Sequence, residues 1–248
     1  MHETELSRSF GRAADTYEAG RPTYPLESVA WLLQPVTGLG ARAKVADVGA
    51  GTGKLTRSLV DLGAEAVAID PDPDMLARLR AAVPGVPTFT GTAEQLPVRD
   101  GSLDAIVLGQ AWHWVDPDDG SREAARVLRP GGVLGLIWNL RDDSVPWVER
   151  LTAVMGGSHA EMLLAAGDPP VRAPFGELER AHWTWSRPVT RDTLDALVRS
   201  RSHVITAASD ERRRIERDSA ALFDEIGAAS DAVIELPYVT RAYRASKD

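Results

Sequence analysis

Two groups of residues in the 248-residue chain have the types and spacing to do chemistry. The first is Asp47 with Gly49, Gly51 and Gly53, inside the stretch Val45 to Thr56, VADVGAGTGKLT. Glycines at alternate positions after a short apolar run supply backbone angles that a side chain forbids, and let the backbone approach a ligand closely. Asp70 belongs with them, since it ends the apolar run Glu65 to Ile69 nineteen residues after Gly51. An acidic residue at about that separation, at the tip of the second strand of a βαβ unit, is placed to accept hydrogen bonds from both hydroxyls of a ribose. The second group is Gly109, Gln110, Ala111, Trp112, His113 and Trp114, at the end of the apolar run Leu103 to Leu108. His113 is a candidate general base, and the flanking indoles can line a pocket and attract a cation, worth about 1 to 2 kcal/mol when desolvated. The same residues also suit a plainer role, a hydrogen-bonded structural histidine between two core aromatics.

A ribose-bearing ligand is compatible with both NAD and S-adenosylmethionine. A dinucleotide turn reads G-x-G-x-x-G, whereas here the third glycine comes one residue early and Lys54 stands in its place. The spacing therefore leans toward S-adenosylmethionine. A phosphate-binding Walker loop is excluded, because Lys54 is followed by Leu55 and the four-residue gap between glycines is missing.

The elements that must hold these groups follow from periodicity. Leu55, Leu59 and Leu62 have helical spacing after the glycine turn, so the motif is strand, turn, helix. Asp72 or Asp74 is suited to cap the next helix, whose buried stripe is Met75, Leu76 and Leu79. Thr88 to Thr90 is a short third strand and Leu103 to Leu108 a fourth, apolar on both faces as a central parallel strand should be. Gly120 to Leu128 reads as a helix, RPGG from Arg129 to Gly132 as its stop and a turn, and Val133 to Trp138 as a fifth strand. Ligands of open parallel sheets sit at the carboxyl ends of the strands. That rule puts residues 109 to 114, and Trp138, Asn139 and Arg141, on the ligand side. Before the first strand, Phe10, Ala14 and Tyr17 share a helix face that Gly20 stops, and Leu26 to Leu33 is a further helix. After it, Gly167 to Gly176 is a loop within one domain, and His182, Trp183 and Trp185 lie in a sixth strand. Leu194 to Val198 is helical, and Ile215, Leu222 and Ile226 mark one face of a longer helix. Val233 to Arg244 is extended, and its Pro237 fits an edge strand or a bulge.

Composition narrows the function classes. A formal net charge of −8 argues against a large electrostatic footprint on nucleic acid, and favours a small-molecule substrate. The one dense basic run, Arg212 to Arg214, reads as a solvated helix face. With no cysteine there is no disulfide, thiolate zinc site or cysteine nucleophile, and no metal cluster is singled out. No apolar run reaches a membrane span and the first ten residues lack a secretory apolar region, so the cytoplasm is the expected compartment.

Six blocks in order, FGRAADTYEAGRPTYP, VADVGAGTGKLT, AIDPDPDML, GTAEQLP, LDAIVLGQAWHWVD and RVLRPGGVLGLIWN, resemble class I S-adenosylmethionine-dependent methyltransferases. The likeness is to the branch of trans-aconitate and ubiquinone/menaquinone methyltransferases. It implies an α/β fold, a doubly wound Rossmann-like sheet of seven strands, mostly parallel with an antiparallel last strand. It also implies an N-terminal helical lid over residues 1–40 and a methyltransferase domain over 41–248. By that pattern the turn of Gly49, Ala50, Gly51 and Gly53 holds the methionine part of S-adenosyl-L-methionine, Asp70 the ribose hydroxyls, and Ala93 and Glu94 the adenine edge, with Asp47, Pro71 and Met75 also cofactor-binding. Gln110 lies beside the methyl group, Ala111 is also cofactor-binding, and Tyr17 and Arg21 belong to the lid. A carboxylate or acidic phenol acceptor needs no base, whereas an alcohol, amine or carbon acceptor wants one, for which His113 and Tyr17 are the candidates. Arg141, Arg199, Arg201 and His203 suit a carboxylate acceptor, or equally serve as helix-face charges. The alternatives are a non-catalytic S-adenosylmethionine-binding protein and a nicotinamide-dependent oxidoreductase.

Overall fold

The computed structural model of the chain describes residues 22–37, 42–229 and 232–247. Helix α1 (Leu26–Leu33) precedes strand β1 (Lys44–Val48), helix α2 (Lys54–Asp61), strand β2 (Glu65–Asp70), helix α3 (Pro73–Ala82) and strand β3 (Thr88–Thr90). Strand β4 (Leu103–Gly109) leads through a 3-10 turn (Trp112–Trp114) to helix α4 (Pro117–Val127) and strand β5 (Leu128–Arg141). Helices α5 (Pro146–Met155) and α6 (His159–Ala166) follow, then strand β6 (Glu179–Val189), helices α7 (Arg191–Arg199), α8 (Ser202–Thr206) and α9 (Ser209–Glu225), and strand β7 (Ile234–Ser246). The strands form one sheet in the order β3-β2-β1-β4-β5-β7-β6. Pairing is parallel from β3 through to β5. Among the described residues no helix is long and apolar enough to cross a membrane.

β1 and β4 lie between other strands, and their apolar residues are buried on both faces. In α2 the buried residues Leu55, Thr56, Ser58 and Leu59 form the inward stripe. α3 starts where expected, because the Asp72 carboxylate accepts the Asp74 N–H at 2.8 Å and Pro73 needs no partner for a missing N–H.

Three sequence expectations are corrected. α4 begins at Pro117 rather than Gly120, since Asp116 caps it by accepting the N–H groups of Asp118 and Asp119, both at 3.0 Å. RPGG is part of a continuous β5, not a turn before it. Leu128 pairs with Leu103 and Val133 with Ala105, so the four residues between them bulge from the ladder. They are held there because Lys247 exchanges backbone hydrogen bonds with Gly131 and Gly132. β7 lies between β5 and β6, so Pro237 is not on an edge strand. A proline forfeits its donor but keeps its acceptor, and the Pro237 carbonyl takes the Asp142 N–H at 3.0 Å. That contact near the start of β7, and those of Lys247 just past its end, run β7 antiparallel to β5.

The chain divides into two compact units. One comprises Thr23–Trp138, Gly167–Trp183 and Thr240–Asp248, and its core packs Val29, Leu32 and Leu33 of α1 against Val45, Leu55, Leu59, Val107 and Val133. The other includes Asn139–Ala166 and Thr184–Val239, and its core joins Val148 and Leu151 of α5, Leu194 and Leu197 of α7, and Leu222 and Phe223 of α9. The basic run is the solvated face expected of it. Arg213 pairs with Asp210 and Arg214 with Glu211, all four at least 47% exposed.

Candidate functional site

The glycine turn is tied to the end of β2. The N–H groups of Gly49 and Ala50 both donate to the Ile69 carbonyl, at 2.8 and 3.1 Å, which fastens the turn to the end of the strand. Asp70 then closes on the turn: its Oδ2 accepts the Gly51 N–H and its Oδ1 the Asp72 N–H, both at 2.8 Å. Burial raises the Asp70 carboxyl above the usual carboxylate range, against the pull of those two N–H groups.

The three glycines do different work. A Cβ on Gly49 would stand 2.7 Å from the Cβ of Ala111, and one on Gly53 2.7 Å from Leu79 Cγ. Those two positions need glycine for packing. Among the described residues a Cβ on Gly51 would meet no atom within 4 Å, so they leave the turn open on that side, next to the Asp70 carboxylate. Asp47 is buried; its Oδ2 accepts the Thr56 hydroxyl at 2.6 Å while its Oδ1 has no hydrogen-bond partner among the described residues. Burial pushes its carboxyl up to about 7; the Thr56 hydrogen bond opposes the rise and the Asp70 charge adds to it. An open backbone cradle, a carboxylate beside it and an orphaned buried carboxyl oxygen fit a nucleoside bearing an amino group. The residues present therefore suit S-adenosylmethionine.

The loop after β3 is braced from α4. Glu123 accepts the Leu96 N–H at 2.7 Å, and Arg126 donates to the Leu96 carbonyl at 3.0 Å and to Glu123. Glu94, expected at an adenine edge, uses Oε1 to accept the Asp116 N–H at 3.1 Å, which joins that loop to the start of α4. Ala93 is half-buried beside it, Pro71 is half-buried after Asp70, and Met75 is buried in α3.

After β4, Gln110 adopts the left-handed backbone with φ +56°, and its N–H donates to the Ile137 carbonyl at 2.9 Å. A non-glycine residue in that region is uncommon and concentrates at functional turns. Trp112 is buried with its Nε1–H on the Pro170 carbonyl at 3.0 Å, whereas Trp114 is half-buried and packs against the His113 ring at 4.9 Å. The Nδ1 of His113 accepts the Nε1–H of Trp138 at 3.3 Å.

Tyr24 is a candidate site residue that sequence reasoning missed. Its hydroxyl lies 2.6 Å from where a Cβ on Gly109 would stand, so the phenol covers the carboxyl end of β4. The signal available was a glycine closing an otherwise bulky strand. Tyr17 and Arg21 lie outside the described residues, as does the side chain of His203. The arginines considered for a carboxylate meet carboxylates of the chain itself. Arg141 and Arg201, both nearly buried, share Glu161 at 2.8 and 3.0 Å, and Arg199 meets Glu216 at 3.3 Å.

Comparison with known proteins agrees with this geometry. Residues 46–136 match the family model described as a methyltransferase domain. An uncharacterized methyltransferase of Mycobacterium tuberculosis is 43% identical, covering 98% of this chain and 97% of that protein. A malonyl-[acyl-carrier protein] O-methyltransferase of Hahella chejuensis is 33% identical over 67% of this chain and 61% of its own length. The fold is shared with a protein of Anaeromyxobacter dehalogenans provisionally classed as a type II methyltransferase, with TM-score 0.69 at 22% identity over 91% and 97% of the two chains. On the length and identity of these matches, the chain belongs to the methyltransferase family.

Proposed function

We propose that this methyltransferase moves a methyl group from S-adenosylmethionine to an oxygen of a small-molecule acceptor, a carboxylate or a phenol. The observation that carries the reading is the Asp70 carboxylate drawn onto the open face of the glycine turn by the Gly51 N–H at 2.8 Å. In this reading Asp70 holds the ribose hydroxyls, and the backbone from Gly49 to Gly53 with Asp47 holds the methionine end. Ala93 and Glu94 border the adenine, Gln110 and Ala111 the methyl, and Tyr17 and Arg21 in residues 1–40 form a lid. When bound, S-adenosylmethionine supplies a sulfonium methyl whose C–S bond breaks, its electron pair passing to sulfur, as an acceptor lone pair bonds the methyl carbon. The chain's part is to align the acceptor and exclude water, and no metal is invoked. Oxygen as the acceptor atom is supported by the Hahella relative's printed activity. A small substrate, handled in the cytoplasm by the trans-aconitate and ubiquinone/menaquinone branch, is supported by the net charge of −8 and the sequence blocks.

Isothermal titration of the full chain tests the cofactor. S-adenosylmethionine and S-adenosylhomocysteine are expected to bind at micromolar concentration and NADH not at all. Silence toward both adenosyl compounds, or binding of NADH alone, overturns the reading.

A further inference from the structure

Two side chains of α4 grip the loop between β3 and β4, and they do so through its backbone. Glu123 and Arg126 lie three residues apart on one face of the helix, where Arg126 donates to both oxygens of Glu123, from Nε at 2.8 Å and from Nη2 at 2.7 Å. Glu123 Oε1 accepts the Leu96 N–H at 2.7 Å, and Arg126 Nη2 donates to the Leu96 carbonyl at 3.0 Å. One ion pair thus takes both backbone polar groups of a buried loop residue. Arg126 also donates through Nη1 to the Val98 carbonyl at 3.0 Å and to Asp100, and its own carbonyl accepts the Gly101 N–H at 3.0 Å. The hydrogen bond from Arg126 holds the Glu123 carboxyl below the usual carboxylate range, so the pair stays charged.

Ahead of that grip the loop makes a β-turn. The Gln95 N–H donates to the Thr92 carbonyl at 3.2 Å, which puts Ala93 and Glu94 at the two central positions. The turn's own hydrogen bond uses neither of their N–H groups. On one side the turn is tied to the end of β2: the Gly91 N–H donates to the Asp70 carbonyl at 3.3 Å, and a Cβ on Gly91 would stand 2.8 Å from Pro97 and 3.1 Å from Ile69. On the other, Glu94 accepts the Asp116 N–H at 3.1 Å, at the head of α4. A recognition edge made of backbone has no side chain to re-aim, so its placement is that of the loop, and the α4 pair sets the loop.

We propose that Glu123 and Arg126 are positioning residues for cofactor binding: without touching the nucleoside, they hold the turn of residues 92–95 at the distance from Asp70 where one nucleoside meets both. The proposal rests on the reading above in which Ala93 and Glu94 border the adenine. Its consequence concerns the base. Backbone N–H donors suit the bare ring nitrogen N1 of adenine and are mismatched with the N1–H of hypoxanthine. Loosening the loop should therefore erase the preference between the two bases rather than weaken every nucleoside alike.

The test is isothermal titration of the full chain with S-adenosylhomocysteine and with S-inosylhomocysteine, in which oxygen replaces the adenine amino group and N1 carries a proton. The parent is expected to favour S-adenosylhomocysteine by about tenfold or more. Arg126→Met should lower the affinity for S-adenosylhomocysteine by about tenfold and that for S-inosylhomocysteine by less than about threefold. Glu123→Gln keeps an acceptor for the Leu96 N–H and should show the same pattern with a smaller loss; it decides the matter if Arg126→Met does not fold. Melting curves fix a temperature at which each variant tested is folded. In the free variants the Ala93 and Glu94 amide resonances should shift and those of Gly49, Gly51 and Gly53 stay in place. A merely structural role would lower the melting temperature and leave the two affinities in their parental ratio, and that result overturns the proposal. So does a parent that binds both nucleosides equally. Failure of the parent to bind S-adenosylhomocysteine at all strikes first at the cofactor reading, and takes the proposal with it.

Discussion

Gly49 and Gly51 both have positive φ, +69° and +54°, yet their surroundings assign them opposite roles. Gly49→Ala brings a Cβ to 2.7 Å from that of Ala111 in a strained backbone, and should cost about 2 to 4 kcal/mol of stability in urea unfolding. Gly51→Ala carries only the backbone strain, about 1 to 2 kcal/mol, because its Cβ meets none of the described residues. Its larger effect should fall on S-adenosylmethionine affinity. Equal stability losses, with affinity untouched by Gly51→Ala, would contradict the division of labour. Asp70→Ala should weaken S-adenosylmethionine binding by about 1.5 to 3 kcal/mol, the cost of losing charge-assisted hydrogen bonds, and calorimetry showing unchanged affinity would remove the ribose assignment. These residues are legible in the sequence because glycine spacing and an acidic strand tip are local signals. Tyr24 is not, since only the folded chain brings its hydroxyl over Gly109.

Elements whose ends carry caps start where local chemistry puts them, as α3 does at Asp72 and Pro73. The same signal stands at Asp116 and Pro117, ahead of Gly120, the residue at which the sequence reading starts the helix. Helices α5 and α6 drew no sequence reading, and α6 has a mixed surface with only Ala160 and Leu164 buried. What holds α6 is Glu161, which accepts from Arg141 at the end of β5, from Arg201 ahead of α8, and from the Ser158 N–H at 2.6 Å. Burial opposes ionisation of Glu161, but the Arg201 and Arg141 charges outweigh it and hold its carboxyl below the usual range. Glu161→Gln leaves two nearly buried guanidinium groups without their shared carboxylate, and should cost about 3 kcal/mol by thermal or urea unfolding. A loss under about 0.5 kcal/mol would show that the cluster contributes no net stability.

Over the whole molecule, Asp47 imposes a pH dependence of opposite sign to that of a paired carboxylate. In the unfolded chain its carboxyl ionises near 4, in the folded protein at about 7. Between those values the folded state keeps a proton that the unfolded state has released, so this contribution falls as pH rises from about 4 through 7 and is level above. Asp47→Asn cannot titrate. Its melting temperature relative to the parent should rise from pH 5 to pH 8, and a constant difference would mean that Asp47 is ionised throughout. Such couplings depend on the assembled fold, as does much of the topology. The four strands from β1 to β4 and the helices α2 and α3 could be read from the chain because each rests on apolar runs, glycines and caps within a few neighbouring residues. The family likeness rests on the same short blocks. Two features depended on residues far apart in sequence: β7 entering between β5 and β6 despite Pro237, and the bulged RPGG held by Lys247. Periodicity and capping act over one or two turns of chain, so they name the elements and the cofactor turn. Strand order and the burial of the Asp47 carboxyl are set by partners that only long-range packing supplies.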